Sequence, residues 1–339
     1  MKKFKYIILA AAVLIIAGAG VSFHFYNLVF NPIIETEEFR LNLYGTEQPG
    51  QILESVRQQD SQADLRGLEL LVRFKGLKTR SGSYVIKKGD SAKAIWSRLS
   101  SGSQTPVKVV INSCRDISHM AAQIGSQLMI DSAQIAQRLT DQAALDSLGY
   151  TIPTVFFMIV PNTYEFYWNV SLDAFMQRMV KEHDSFWNQE RKDKAAGIGL
   201  TPLQVVTLAS IVEEETAKTQ EMPTVAGLYM NRYNRGMLLQ ADPTVIFALG
   251  GERPKRVLLK HLETDSPYNT YKYPGLPPAP IRFAGTASIN AVLNYSRHNY
   301  LYMCAKEDFS GFHNFATTLS QHNANAKKYQ QALSAAGIR

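Results

Sequence analysis

Cysteine is scarce: the 339 residues hold two, Cys114 and Cys304. Neither belongs to a Cys-x-x-Cys pair or a His-spaced ligand pattern, so two separate buried or half-buried thiols are expected rather than a disulfide. His261, His298, His313 and His322 form no His-x-x-His or HExxH run. No metal and no other cofactor is expected. Positive charge is scattered. No dense Lys/Arg run interleaves with aromatics, which argues against nucleic acid as a partner. No lipobox cysteine follows the N-terminal apolar segment, which argues against a lipoprotein. Charged residues make up only 19% and hydrophobic ones 45%, so global disorder is not expected.

What is present begins with a net charge of +7. It suits an anionic partner such as a membrane surface or an anionic cell wall. The length suggests two or three domains. Residues 1–5 carry three lysines, and residues 6–23 follow without a charge. That run is just long enough to span a bilayer, and the lysines predict an inside N-terminus. The competing reading is a cleaved signal peptide at Ala17, Gly18 and Ala19. The uncleaved anchor is preferred because the apolar stretch continues past that site. Either reading carries the bulk of the chain across the membrane.

Residues 30–37 then read as a short linker. Strands are expected near 39–43, 81–86 and 107–111, each followed by a turn and a helix. Tyr84 to Ile95 and Val109 to Met120 share one spacing, a weak internal repeat. Residues 132–148 and 171–188 read as helices, and 189–199 as a charged surface turn. Tyr164, Phe166, Tyr167 and Trp168 could line a sugar cleft or simply pack a core. Residues 250–280 are loop-rich, and loops of that length are usually functional.

Residues 201–250 organise the rest. Thr201 and Pro202 suit the start of a helix. Val205, Leu208, Ile211 and Val212 make one apolar stripe, and Glu215 falls inside it, while Glu213 and Glu214 point away. A carboxylate facing apolar surroundings is desolvated and becomes able to donate a proton near neutral pH. The plainer reading puts Glu215 at a solvated helix end. Glu213 is the reserve acid, since a helix end is uncertain by one position. A second helix follows with Asn231 and Arg232, ending near Gly236, and Asp242 with Pro243 can cap a third.

Five ordered segments carry a resemblance: LASIVEEET (208–216), NR (231–232), QADPTV (240–245), YNTY (268–271) with GLPPAPI (275–281), and HNF (313–315) with HN (322–323). Together they resemble the endolytic murein transglycosylases (MltG-type, YceG-like) over nearly the whole chain. One departure is Asn162, where the family's aromatic segment has an aspartate.

The resemblance implies an α+β fold. It comprises a cytoplasmic tail (1–5), a transmembrane helix (6–26), a linker (27–38), an N-terminal module (39–130) with a LysM-like unit at about 80–112, and a larger, mainly helical catalytic YceG-like domain (131–339). The family's catalytic glutamate maps onto Glu215. Gln240, Asp242 and Thr244 are expected to shape the cleft floor. Asn231 and Arg232 would bind sugar groups or orient Glu215, and Tyr268, Asn269 and His313 would line the walls. The implied reaction cuts the bond between N-acetylmuramic acid and N-acetylglucosamine within nascent peptidoglycan strands. It leaves a 1,6-anhydro end and ends strand elongation. The implied setting is the plasma (inner) membrane, single-pass, with the catalytic part outside and peptidoglycan synthases as partners. Two other readings stay open: a noncatalytic peptidoglycan-binding scaffold, and a water-using muramidase with Asp242 or Glu165 as second acid.

Overall fold

The computed structural model describes residues 2–250, 254 and 257–337. Its contacts divide the chain into two units. One holds the chain up to Val109 with Gln127–Ile130 and Glu165–Val170; the other holds Val110–Ser126, Asp131–Tyr164 and Ser171–Arg339.

The first unit opens with α1 (Lys2–Phe30), apolar and exposed along most of its length. Its residues Phe4–Phe30 are long and apolar enough to cross a membrane. The helix takes in residues 2–5, which the sequence assigned to a tail. Residues 31–38 are not a free linker either. Ile33 and Ile34 are buried, and backbone bonds join Ile33 to Asp90 and Ile34 to Gly89. The Asp60 carboxylate accepts from the N–H groups of Glu35 and Thr36.

In β1 (Glu38–Leu43) the side chains of Phe39, Leu41 and Leu43 alternate inward. After α2 (Pro49–Gln59) and α3 (Arg66–Lys75), β2 (Gly82–Lys87) returns antiparallel to β1, with Leu41 opposite Tyr84. The helix α4 (Ala92–Ser101) starts where Ser91 Oγ accepts from the Ala94 N–H, and it ends at Gly102, whose φ is +73°. Ile52, Val56, Leu68, Ile86 and Ile95 fill the core of this unit. Gly67 of α3 runs hard against the end of α1: a Cβ there would sit 1.8 Å from the Leu28 carbonyl oxygen. Next comes β3 (Val107–Val110). The two strands within residues 80–112 belong to different sheets, since β2 pairs with β1 and β3 with a later strand.

The second unit begins with α5 (Ile117–Gly125). The helix expected over 132–148 is broken into α6 (Ser132–Thr140) and α7 (Gln142–Asp146), because the Asp141 carboxylate turns to cap α7. Then come α8 (Val155–Met158) and α9 (Leu172–Phe186); between them β4 (Thr163–Phe166), the pairing partner of β3, returns to the first unit from Glu165 on. In the aromatic segment Tyr164, Phe166 and Trp168 are buried core residues and only Tyr167 is exposed, which corrects the sugar-cleft reading. Asn162 bonds locally, its Oδ1 accepting from the Thr163 N–H.

Residues 189–197 form a helix, α10 (Gln189–Gly197), and not the expected turn. Asn188 caps it, and side-chain pairs at i,i+4, Gln189–Asp193 and Glu190–Lys194, support it without an apolar stripe. The helices α11 (Pro202–Glu215), α12 (Met222–Asn234) and α13 (Asp242–Ala248) follow. Short α14 (Leu259–Leu262), α15 (Thr286–Leu293), the antiparallel hairpin of β5 (Tyr302–Ala305) and β6 (His313–Ala316), and α16 (Leu319–Ala335) complete the unit. Every residue from Val205 to Val212 is buried, so α11 is the central helix of this unit, packed by α12 and α15.

Candidate active site

Helix α11 is fixed at its start by a reciprocal box. Thr201 Oγ1 accepts from the Gln204 N–H and Gln204 Oε1 accepts from the Thr201 N–H, with Pro202 at the first turn. Its last turn holds three glutamates. Carboxylates oppose the negative end of the helix dipole, so each needs compensation. Glu213 accepts from the Gly285 N–H (2.7 Å) and Ser288 Oγ (2.8 Å), and pairs with Arg282 at 3.3 Å. Glu214 pairs with Arg282 at 2.7 Å and Arg115 at 2.6 Å. Among the described residues Glu215 accepts one hydrogen bond, from Tyr229 Oη at 2.8 Å, and no lysine or arginine pairs with it. Burial pushes its pKa up to about 7; the Tyr229 bond and His313 pull against that rise, and Asp242 adds to it. Glu213, the reserve acid, is thus pinned elsewhere, and Glu215 is the carboxyl group free to exchange a proton.

Glu215 faces a cavity of about 260 Å³. Leu228, Tyr229 and Arg232 of α12 form one wall, and Leu239, Gln240 and Asp242 with Tyr271 form another. Residues 303–305 and His313 of the hairpin close it. The Arg232 guanidinium is held by carbonyl groups, Nε to Leu301 at 2.6 Å and Nη1 to Leu239 at 2.8 Å, and Nη1 also reaches Gln240 Oε1 at 3.3 Å. Gln240 adopts φ +53°, a left-handed conformation uncommon outside glycine, and its N–H donates to the Thr270 carbonyl. Asp242 does not cap α13. It sits at the first helical position, exposed, and accepts from Tyr271 Oη. Burial, and then that contact, push the Tyr271 phenol up.

The structure therefore gathers Glu215, Arg232, Gln240, Asp242 and His313 around one cavity. It places Asn231, Thr244, Tyr268 and Asn269 off its walls. Asn231 donates to the carbonyls of His298 and Tyr300, tying α12 to the chain before β5. Thr244 is fully buried against Ala241 and Thr270. Asn269, also buried, braces its own loop through the carbonyls of Leu262 and Thr264. Tyr268 packs on Phe247. Asn231, Thr244 and Asn269 shape backbone, because the polar contacts of their side chains run to carbonyls and hydroxyls inside the protein. Glu165 is exposed on β4. Sequence reasoning gave Tyr229 and Glu221 structural parts alone, Tyr229 inside the second helix and Glu221, like Thr219, as a candidate start for it. Tyr229 read as an apolar helix residue, and nothing in its spacing announces a phenol aimed at Glu215.

Two larger cavities, of about 540 and 590 Å³, border Glu214 and Glu213 respectively. Both glutamates are ion-paired, and Glu215 lines neither, so the smaller cavity is the candidate site. His298 bonds to the Thr224 carbonyl, and His322 stacks on Tyr302. Among the described residues, no three His, Cys, Asp or Glu side chains converge as a metal site. Cys114 is buried, Cys304 half-buried, and they are not bridged.

The model of the YceG-like family matches residues 45–328. The chain belongs to the YceG-like family. YceG-like relatives include the endolytic murein transglycosylase of Bacillus subtilis, 30% identical over 291 residues, which cover 78% of this chain and 77% of that one. The endolytic murein transglycosylase of Streptococcus pneumoniae is 29% identical over 178 residues, 50% of this chain and 31% of the relative. A crystal structure of a yceG-like protein from Listeria monocytogenes superposes with a TM-score of 0.58 at 26% identity, covering 86% of this chain and 99% of its own.

Proposed function

We propose that this chain is a membrane-anchored endolytic lytic transglycosylase, with Glu215 as its acid. The observation that carries the reading is the Glu215 carboxyl group, raised to about 7 by burial and bonded to the Tyr229 phenol, on a polar cavity. The relatives named endolytic murein transglycosylases supply the substrate class.

Protonated Glu215 gives its proton to the oxygen linking N-acetylmuramic acid to N-acetylglucosamine. The muramic C6 hydroxyl attacks C1 and closes a 1,6-anhydro ring, its proton ending on the Glu215 carboxylate, so the acid is regenerated and no water is consumed. Arg232 and Gln240, braced by carbonyls and by each other, offer donors and acceptors along the wall. Helix α1 holds the chain in the plasma membrane with its lysines inside, and cutting strands near that surface ends their elongation. Binding by a LysM-like unit and association with synthases belong to the same proposal.

A second reading draws support from Asp242, whose carboxylate shares the cavity with Glu215. A water-using muramidase needs two such groups. The test is digestion of purified glycan strands by the full chain in detergent, wild type against Glu215→Gln, with products read by mass spectrometry. Anhydro-muramic ends from wild type and none from the variant establish the reaction and its acid. Reducing ends establish the muramidase. Binding without cleavage by either form means a scaffold.

A further inference from the structure

Glu221 and His313 form a pair that acid catalysis by Glu215 alone does not require. Glu221 precedes α12 but makes no side-chain cap there. Its carboxylate is buried and turns to β6 instead. Oε1 accepts the backbone N–H of His313 at 2.8 Å, and Oε2 lies 2.8 Å from the His313 ring Nδ1. Oε2 also accepts from Thr216 Oγ1, the residue directly after Glu215, at 3.2 Å.

A carboxylate has no proton to offer Nδ1, so Nδ1 carries the hydrogen. That assigns the tautomer. In the neutral ring Nε2 is then a hydrogen-bond acceptor, on the far side of the imidazole from Glu221. His313 stands on the wall of the cavity that holds Glu215. No other described residue hydrogen-bonds its ring. A buried carboxylate that orients one imidazole is an arrangement for moving protons.

We propose that His313 Nε2 takes the proton of the attacking C6 hydroxyl, with Glu221 as its positioning residue, leaving Glu215 to act as acid. This rests on the lytic transglycosylase reading above. The C6 oxygen bonds to C1 as the C1–oxygen bond to N-acetylglucosamine breaks, its electron pair leaving on that oxygen. The Glu215 proton goes to the leaving oxygen and the hydroxyl proton goes to Nε2. The imidazolium beside Glu221 then returns its proton to the Glu215 carboxylate, through solvent or directly, and both groups are reset. No other reactant is needed.

The test uses the full chain in detergent on glycan strands, with wild type and Glu215→Gln run alongside. His313→Gln keeps a donor for Glu221 but has no basic nitrogen. It is expected to melt like wild type, with kcat lower by about 100-fold and KM little changed. His313→Ala is expected to lose as much and to regain part of its kcat when free imidazole is added. His313→Gln with wild-type kcat overturns the assignment, and so does His313→Ala that imidazole fails to rescue. Should His313→Gln not fold, the imidazole experiment alone decides. Failure of the underlying reading looks different, because wild type itself then yields no anhydro ends.

Discussion

The last turn of α11 presents the same side chain to two environments. On one side Glu213 and Glu214 share Arg282, with Arg115 added for Glu214 and the Gly285 N–H and Ser288 hydroxyl for Glu213. On the other, Glu215 meets one phenol and a desolvated cavity, and its pKa climbs to about 7. Adjacent carboxyl groups can thus differ in kind. Two are fixed charges that brace the helix end, and the third is a proton store whose value burial sets.

The comparison can be broken most severely at Glu215 itself. Glu215→Gln should lower the rate of anhydro-end formation by about 100-fold to 10,000-fold while leaving the fold intact. Assaying Glu213→Gln in parallel should show loss of stability with chemistry largely retained, measured by melting and product analysis. Next in size is Arg282→Met. It strips both bracing carboxylates of their shared cation, and breaking a buried pair in this way should cost about 3 kcal/mol in urea unfolding.

A smaller effect sharpens the contrast through pH. The folded-state pKa of Glu215 lies above the ordinary glutamate value of 4.5, so the folded chain holds this proton more tightly than the unfolded one. The associated stability is full below pH 4.5 and is lost as pH rises through about 7. Glutamine cannot ionise. Glu215→Gln should therefore match wild type at low pH and exceed it by about 1–3 kcal/mol above neutrality, allowing for partial exposure. Activity should fall over the same rise in pH. Smallest is Tyr229→Phe, which deletes a hydrogen bond that favours the charged form. The alkaline fall in activity should move to higher pH, by about 1 kcal/mol or less than one pH unit.

Local signals carried far in this chain. The Thr201–Pro202 start, the buried stripe and the place of Glu215 on it were legible because helix period and cap chemistry are properties of neighbouring residues. Helix α10 was not, because its support is polar pairs at i,i+4 and an Asn188 cap, with no apolar stripe to read. Asp242 looked like a cap, and only the folded loop shows Tyr271 claiming its carboxylate. Asn231, Thr244 and Asn269 carried polar side chains in the right segments, yet their partners are carbonyls and hydroxyls that only the fold brings near. Glu213 with Arg282 and Glu221 with His313 join positions 69 and 92 residues apart (282 − 213; 313 − 221). No period links such pairs, so an apolar pattern cannot announce them.

Gly67 joins the apolar helix α1 to the first unit without a gap. The carbonyl of Leu28 occupies the place where any side chain at position 67 would begin. The foot of α1 is thereby wedged into the first unit rather than hinged to it, and Val29 shares that unit's core. An anchor built this way acts as a mast and not a tether. With α1 in a bilayer, as proposed above, the first unit takes a set height above the lipid surface, and a bulkier residue at Gly67 is expected to change that altitude.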